Sequence, residues 1–275
     1  MFASLLLLAP LPGRAASETV DVAQVVQRSV DANRTDWAAF PQFSYNEEDW
    51  QPNGSSKTYR VSMILGSPYN RLIAVDGEPL SRAAAQREQA RLKAAVARRR
   101  AESPGQHAAR IAEYEKERKR DRLFLDQLTA AFDFTLVDQV KRNGRDTYVL
   151  KAVPKPGYQP PVFEAQVLKG MRGTLWIDAQ TYQWVKVQAK VVRPVYIVGF
   201  LARVDPGTSF ELEYAPVEDG VWLPTHFLMH SHAKVLLLLT RHKSANQFYS
   251  DYQQTGAAPK TEAESAGRRG PSAVR

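Results

Sequence analysis

The 275-residue sequence contains no cysteine. This absence excludes disulfide bonds, thiolate catalysis, cysteine-based zinc sites and the lipid-modified cysteine of a bacterial lipoprotein. The sequence also lacks H-E-x-x-H, G-x-S-x-G and a phosphate-binding glycine loop, which are common signatures of hydrolases and nucleotide enzymes. We therefore expect neither a cofactor nor a bound metal, and we expect that the protein is not an enzyme.

Long apolar runs are also scarce. Residues 1–12 are almost wholly apolar, and they precede Gly13-Arg14-Ala15-Ala16, whose small residues suit a signal-peptidase cut. Because a helix needs about 18 apolar residues to cross a bilayer, this run predicts a signal peptide over residues 1–16. A short buried segment is the alternative. The sequence thus predicts an exported, soluble protein of the bacterial periplasm.

Short alternating runs separated by turn residues fill the region 173–252, a pattern typical of an antiparallel sheet. In the run 209–214, alternation places Phe210, Leu212 and Tyr214 on one face of a strand. Strands are predicted at 43–49, 57–65, 69–75, 134–141, 146–153, 173–178, 182–193, 195–204, 208–214, 221–232, 235–242 and 246–252.

Two regions have helical patterns. Residues 20–33 carry valines at the spacing of an amphipathic helix, which can plug a curved sheet. Residues 81–131 predict two helices with a break at Ser103-Pro104-Gly105. The predicted fold is α+β, mainly β: a curved antiparallel sheet forms a half-barrel over helices and carries an inserted basic helical hairpin. We expect one domain over 17–255 and a disordered tail over 256–275.

Basic residues concentrate in the predicted hairpin. Between residues 82 and 122 there are thirteen Lys or Arg against six acids, which accounts for most of the net charge of +8. Each cation held near an anionic membrane is worth about 1 kcal/mol, and the expected membrane-facing residues are Arg98, Arg99, Arg100, Lys119 and Arg120. The alternative is an ordinary solvated face with interspersed ion pairs. Nucleic acid is not expected, because no recognition motif accompanies the charge.

Three histidines share one face of a predicted strand. His226, His230 and His232 alternate with Phe227 and Met229, and neighbouring imidazoles can share a metal. No acid lies beside them in the sequence, so a polar outer face is the favoured interpretation. An enzyme that assembles its site from these histidines and scattered acids such as Asp178 is a minority hypothesis.

The runs 195–201 and 235–239 are apolar on both faces of their strands, so both sides must be covered. An ordinary helix-covered core is one interpretation. The other is a hydrophobic ligand groove, for which the predicted lining residues are Phe200, Phe210, Leu212, Met229 and Leu237.

Three motifs suggest a family: the strand Gly173-Thr174-Leu175-Trp176-Ile177-Asp178, the later Gly220-Val221-Trp222-Leu223-Pro224, and the closing Phe248-Tyr249-Ser250-Asp251-Tyr252. Together they resemble the bacterial outer-membrane lipoprotein-sorting (LolA/LolB-like) superfamily. That resemblance implies a signal peptide, a half-barrel and a hydrophobic cavity for acyl chains. The basic insertion is not part of the compact carrier, and none of the carrier's lid-closing residues can be matched here.

The closer likeness is to other exported proteins of this superfamily, in which the half-barrel is expected to bind other lipids or to sense envelope components. The expected function is periplasmic binding or transfer of a lipid or a lipoprotein acyl chain. The expected partners are a lipid or acylated protein and an anionic membrane surface. The alternative is an envelope sensor or protein-interaction module whose cavity is filled by its own helices.

Overall fold

A computed structural model of the chain describes residues 20–197, 202–217, 220–235 and 239–255. These ranges contain three α-helices: α1 (Val22–Ala39), α2 (Arg82–Arg100) and α3 (Pro104–Ala131). Two 3₁₀ helices span Phe40–Gln42 and Phe163–Gly170. The strands are β1 (Phe43–Trp50), β2 (Ser56–Ile64), β3 (Ser67–Val75), β4 (Glu78–Pro79), β5 (Phe132–Arg142), β6 (Arg145–Pro154), β7 (Met171–Asp178), β8 (Trp184–Val191), β9 (Val195–Ile197), β10 (Ala202–Val204), β11 (Ser209–Pro216), β12 (Trp222–Val235) and β13 (Leu239–Gln254).

The strands form one antiparallel sheet in the order β4-β3-β2-β1-β13-β12-β11-β8-β7-β6-β5. The short strands β9 and β10 pair with each other, and β10 also pairs with β12. Because β4 and β5 lie at opposite ends of this order, the sheet is an open, curved half-barrel. The predicted α+β, mainly β fold is confirmed.

Tight hairpins set the strand register at two places that the sequence marks. Asp76 and Gly77 have positive φ angles of 53° and 77°, and Asn143 and Gly144 have φ angles of 50° and 78°. Positive φ at both central residues is the geometry of a type I′ turn, which Asp-Gly and Asn-Gly favour. These turns join β3 to β4 and β5 to β6, and the second joins two strands that the sequence predicts.

Helix α1 fills one half of the sheet. Asp21 caps it by accepting a hydrogen bond from the Gln24 amide, and its apolar face buries Val25, Val26 and Val30. This face packs in one core with strands β5 to β8, the end of α3 and the 3₁₀ helix Phe163–Gly170. Full burial of each valine contributes about 1.5–3 kcal/mol, so the plugging role predicted for this helix has a clear energetic basis.

The hairpin of α2 and α3 is tied to the sheet by arginines on its inner side. Arg99 donates hydrogen bonds to the carbonyls of Ile64, Ser67 and Pro68 at 2.7, 2.9 and 2.9 Å, around the β2–β3 turn. Arg110 on α3 donates to the Ser67 hydroxyl at 2.7 Å. The hairpin is therefore fixed in orientation on the β2–β3 edge of the sheet.

Helix α3 also contacts α1 through a cation–π pair. The Arg118 guanidinium carbon lies 3.8 Å from the centroid of the Trp37 ring, and its Nη2 donates to the Trp37 carbonyl at 2.9 Å. Such contacts contribute about 0.5–2 kcal/mol. Together with the arginines on the hairpin's inner side, this pair packs the helices into one layer against the sheet.

The break that the sequence predicts between α2 and α3 is confirmed. Ser103 and Gln106 form a reciprocal capping box at the start of α3, with Pro104 in the first turn. A proline is tolerated in the first turn because its missing amide has no partner there anyway.

Three predicted elements need correction. The region 195–204, predicted as one strand, contains the two short strands β9 and β10, which fold back to pair with each other. Residues 239–242 of the strand predicted at 235–242 and the strand predicted at 246–252 belong to one continuous strand, β13, because residues 239–248 pair without interruption with β12. Val235 instead ends β12, and residues 236–238 lie outside the described residues. The 3₁₀ helix Phe163–Gly170 was not predicted; it follows the irregular proline-rich segment.

The predicted signal peptide over 1–16 and the predicted tail over 256–275 lie outside the described residues. The domain boundaries drawn from them stay predictions.

Candidate functional site

The inner face of the sheet is the face that carries Leu150, Leu175 and Val187, which are buried in the core with α1. Residues that pair directly across antiparallel strands share a face. The register places Leu212 of β11 opposite Val187 of β8, and Phe227 of β12 opposite Leu212. The inner face therefore continues from the filled half of the sheet onto β11 and β12.

Four apolar side chains form a patch on this continuation. Phe210 pairs with Met229, and Leu212 pairs with Phe227. All four are partly buried, and Phe210 and Leu212 also pack against the main core. We call these four residues the apolar patch. It unites three of the five predicted groove residues; the other two, Phe200 and Leu237, lie outside the described residues.

Tyrosines continue the inner face beyond the apolar patch. The Tyr45 ring centroid lies 5.9 Å from that of Tyr249 and 5.4 Å from that of Tyr252. Burial raises the pKa of all three phenols, and also that of Tyr214. The Tyr249 hydroxyl donates to Gln247, and the Tyr252 hydroxyl donates to the Pro224 carbonyl. We call Tyr45, Tyr249 and Tyr252 the tyrosine cluster. It is neutral and amphipathic, with apolar rings and polar hydroxyl groups.

Carboxyl groups lie at the edge of the tyrosine cluster. Glu47 pairs directly with Tyr249 across β1 and β13. Burial, reinforced by the nearby charge of Asp49, raises the pKa of Glu47 to about 7. The Gln247 amide donates to Asp49 at 2.7 Å and to Glu47 at 3.3 Å. The inner face thus changes from apolar to polar between β12 and β1.

A third carboxyl group, that of Asp36, reaches the same interior from α1. Asp36 is buried and accepts a hydrogen bond from the Trp222 amide at 3.2 Å. Burial raises its pKa to about 6, and the Trp222 hydrogen bond opposes this rise. Its second oxygen, Oδ2, has no hydrogen-bond partner among the described residues. A buried carboxylate oxygen that accepts no hydrogen bond favours the protonated form of the Asp36 carboxyl group.

The predicted membrane-facing residues fall into two classes. Arg98, Arg100, Lys119 and Arg120 are exposed on the hairpin. Arg99 differs, because its guanidinium is held by the backbone carbonyls at the β2–β3 turn. The residue four positions before it, at 95, is a buried alanine, and residues four apart share a helix face. The sequence does not set Arg99 apart from Arg98, because an alanine, Ala94, also lies four positions before Arg98.

The histidines lie on the outer face of β12, opposite Phe227 and Met229. His226 hydrogen-bonds through Nε2 to the Asn246 side chain at 2.9 Å and stacks on Phe248, and His230 hydrogen-bonds to the Ser244 hydroxyl. Within the described ranges, no group of three or more His, Asp or Glu side chains is arranged to hold a metal.

An open cleft of about 400 Å³ lies at the proline-rich loop, which the sequence predicts as an irregular rim. It is lined by residues 154–159 together with Lys169 and Arg193. Tyr158 anchors the loop, because its ring is buried and its hydroxyl donates to Gln127 at 2.9 Å. A second cleft of about 210 Å³ lies between β3 and α2.

In the described parts of the chain, no helix is both long enough and apolar enough to cross a membrane.

Comparison with solved structures finds chains that are similar to this one over most of their length. A LolA superfamily protein from Nitrosomonas europaea is 12% identical, with 88% of this chain and 97% of that chain covered and a TM-score of 0.32. A putative outer membrane lipoprotein-sorting protein domain from Vibrio parahaemolyticus is 12% identical, with 88% and 98% covered and a TM-score of 0.31.

The MucA/MucB complex of Pseudomonas aeruginosa also matches, at 14% identity with 84% and 93% covered and a TM-score of 0.24. At these identities and TM-scores the likeness assigns neither a family nor a function to this chain. No protein-family model matches the sequence, and no curated protein matches it.

Proposed function

We propose that this protein binds the acyl chain of a lipid or of an acylated protein on the inner face of its half-barrel, in the bacterial periplasm. The observation that carries the proposal is the apolar patch, in which Phe210 faces Met229 and Leu212 faces Phe227. These side chains stay partly exposed although they continue the inner face of a well-filled core. An acyl chain laid along them would complete their burial.

The energetics allow such binding without a covalent bond. An acyl chain that buries about 14 methylenes gains on the order of 11 kcal/mol gross, at roughly 0.8 kcal/mol for each methylene. Association costs of 4 kcal/mol or more reduce this gain. The remainder supports reversible binding, which is what a carrier or a sensor needs.

The polar edge of the inner face restricts the ligand further. The carboxyl groups of Glu47, Asp49 and Asp36 disfavour a phosphate or a free carboxylate beside them when they are ionised. The neighbouring tyrosine cluster is neutral, and the hydroxyls of Tyr249 and Tyr252 already donate to Gln247 and Pro224, so it supplies no cation for such a group. We therefore expect the acyl chain to enter with its apolar end first and an anionic headgroup to stay outside.

Met229→Glu tests the proposal directly, because it places a charge in the middle of the apolar patch. We expect uptake of a pyrene-labelled long-chain alcohol to fall at least tenfold, while Met229→Leu retains uptake. The matched control is His230→Glu, which adds the same charge one residue further on, on the outer face. Fluorescence titration measures uptake, and circular dichroism checks folding. Equal uptake by wild type and a folded Met229→Glu protein would contradict the proposal.

A second candidate is an envelope sensor or protein-interaction module whose interior is filled by its own helices. The observation in its favour is the packing of α1, the end of α3 and the 3₁₀ helix Phe163–Gly170 against strands β5 to β8. In that case the protein is stable without lipid, and none of the three substitutions at Met229 and His230 changes probe uptake, because the wild type takes up none.

A further inference from the structure

We infer that the outer face of α2 is a docking surface for an anionic lipid bilayer. Six cations of this helix are exposed, namely Arg82, Arg87, Arg91, Lys93, Arg98 and Arg100. The one acid in α2, Glu88, is buried and forms an ion pair with Arg91. The exposed surface of α2 therefore has charge of one sign.

Helical geometry arranges these cations in two stripes. At 100° per residue, Arg87, Arg91 and Arg98 fall within about 40° of one another along one side of α2. Arg82, Lys93 and Arg100 fall within about 20° of one another along the other side. Between the stripes runs a ridge of exposed alanines: Ala83, Ala90, Ala94 and Ala97. Small residues on the ridge let the helix approach a flat surface closely while long cationic side chains reach it from both sides.

The inner side of α2 fixes which face points outward. Ala95 and Glu88 are buried against the rest of the protein, and Arg99 is held by three backbone carbonyls at the β2–β3 turn. The side chain of Ile111 on α3 packs against Gly66 in the same turn. Because these contacts prevent rotation of α2 about its axis, the two cationic stripes are presented together.

A bilayer fits this surface better than other polyanions do. The face is straight and about 28 Å long, at 1.5 Å for each of the nineteen residues. Helix α2 contains no aromatic side chain on which a nucleic-acid base can stack. The ridge carries no large apolar residue that would insert between acyl chains. Binding is therefore electrostatic, reversible and sensitive to salt.

Helix α3 provides the contrast within the same hairpin. Its exposed cations alternate with acids: Lys116 pairs with Glu113 at 3.5 Å, and Glu115 and Glu117 flank it. Interspersed charges of both signs are typical of a solvated face. Membrane contact is therefore assigned to α2, whether or not the inner face of the sheet binds an acyl chain.

Co-sedimentation of the purified protein with large vesicles tests this inference. We expect binding to vesicles of phosphatidylglycerol and phosphatidylethanolamine at 50 mM NaCl, none to phosphatidylcholine vesicles, and loss of binding at 0.5 M NaCl. Since each cation near the surface changes the partition coefficient about fivefold, the variant K93Q/R100Q should bind about 25-fold more weakly.

The matched control is K116Q/K119Q, which removes the same charge from α3. We expect it to bind within about threefold of wild type, and thermal unfolding should show both variants to be as stable as wild type. Equal weakening in the two variants would overturn the inference, because it would reflect net charge alone. Absence of binding to anionic vesicles at low salt would overturn it as well.

Discussion

Glu47 shows how burial on the inner face changes the chemistry of a single residue. Its pKa is raised from the ordinary 4.5 to about 7, first by burial and then by Asp49. The folded protein therefore binds more protons than the unfolded chain between about pH 4.5 and pH 7. Over this window stability falls as the pH rises, and the full cost of the buried charge is present above pH 7.

Glu47→Gln removes this cost, because the amide keeps the shape of the side chain without the charge. We expect the variant to be more stable than wild type at pH 8, by about 1–2 kcal/mol, and to match wild type at pH 4. Urea unfolding at both pH values measures the difference, and Glu48→Gln on the opposite face of β1 is the control. If Glu47→Gln changes stability equally at both pH values, the assigned burial of this carboxyl is wrong.

The position of a single site residue was predictable where the alternation of apolar and polar residues along a strand decides which face its side chain occupies. The pattern of 209–214 places Phe210 and Leu212 together, and the pattern around Met229 separates it from the histidines, as the register confirms. The raised pKa of Glu47 was not predictable, because β13 buries it from about 200 residues away in the chain. Local spacing does not contain that information.

The attachment of the helical hairpin to the sheet belongs to the scale of elements. Arg99→Ala leaves three carbonyls at the β2–β3 turn without their donor, so we expect a loss of about 1–2 kcal/mol in the free energy of unfolding. Hydrogen exchange should become faster in β2, β3 and α2. The neighbouring exposed arginine provides the control: Arg98→Ala should leave stability within about 0.5 kcal/mol of wild type. Similar losses in the two variants would contradict the role assigned to Arg99.

Elements that have strong local sequence signals were predicted correctly, whereas elements that depend on pairing with distant segments were not. The Ser103-Pro104 break and the Asn143-Gly144 hairpin have their own turn chemistry, and both occur as predicted. The region 242–245 has no glycine or proline, and its pairing with β12 keeps it extended, so the break predicted there is absent. Strands β9 and β10 fold back because they pair with each other and β10 pairs with β12.

At the scale of the whole molecule, the helices cover the two halves of the sheet differently. The half from β5 to β8 is filled by α1, the end of α3 and a 3₁₀ helix. The half from β11 to β1 carries the apolar patch and the tyrosine cluster, which stay partly exposed. The curved sheet over helices was predictable from pattern and resemblance. How far the helices reach was not, because it depends on packing between distant segments.

This division gives the two proposed surfaces separate positions. The apolar patch lies on the inner face of β11 and β12, whereas the two cationic stripes lie on α2 beside the β2–β3 turn. A protein with both surfaces can approach an anionic membrane through the helix and hold an acyl chain within the sheet. We expect substitutions in one surface to leave the other unchanged.

The most direct test is organic extraction and lipid mass spectrometry of the protein purified without detergent from a Gram-negative periplasm. We predict about one acylated molecule for each wild-type or His230→Glu protein, and loss of that molecule from folded Met229→Glu. A wild-type protein that is stable, free of lipid and unable to take up the pyrene-labelled alcohol would contradict this prediction. That result would mean that the interior is filled by the protein's own helices.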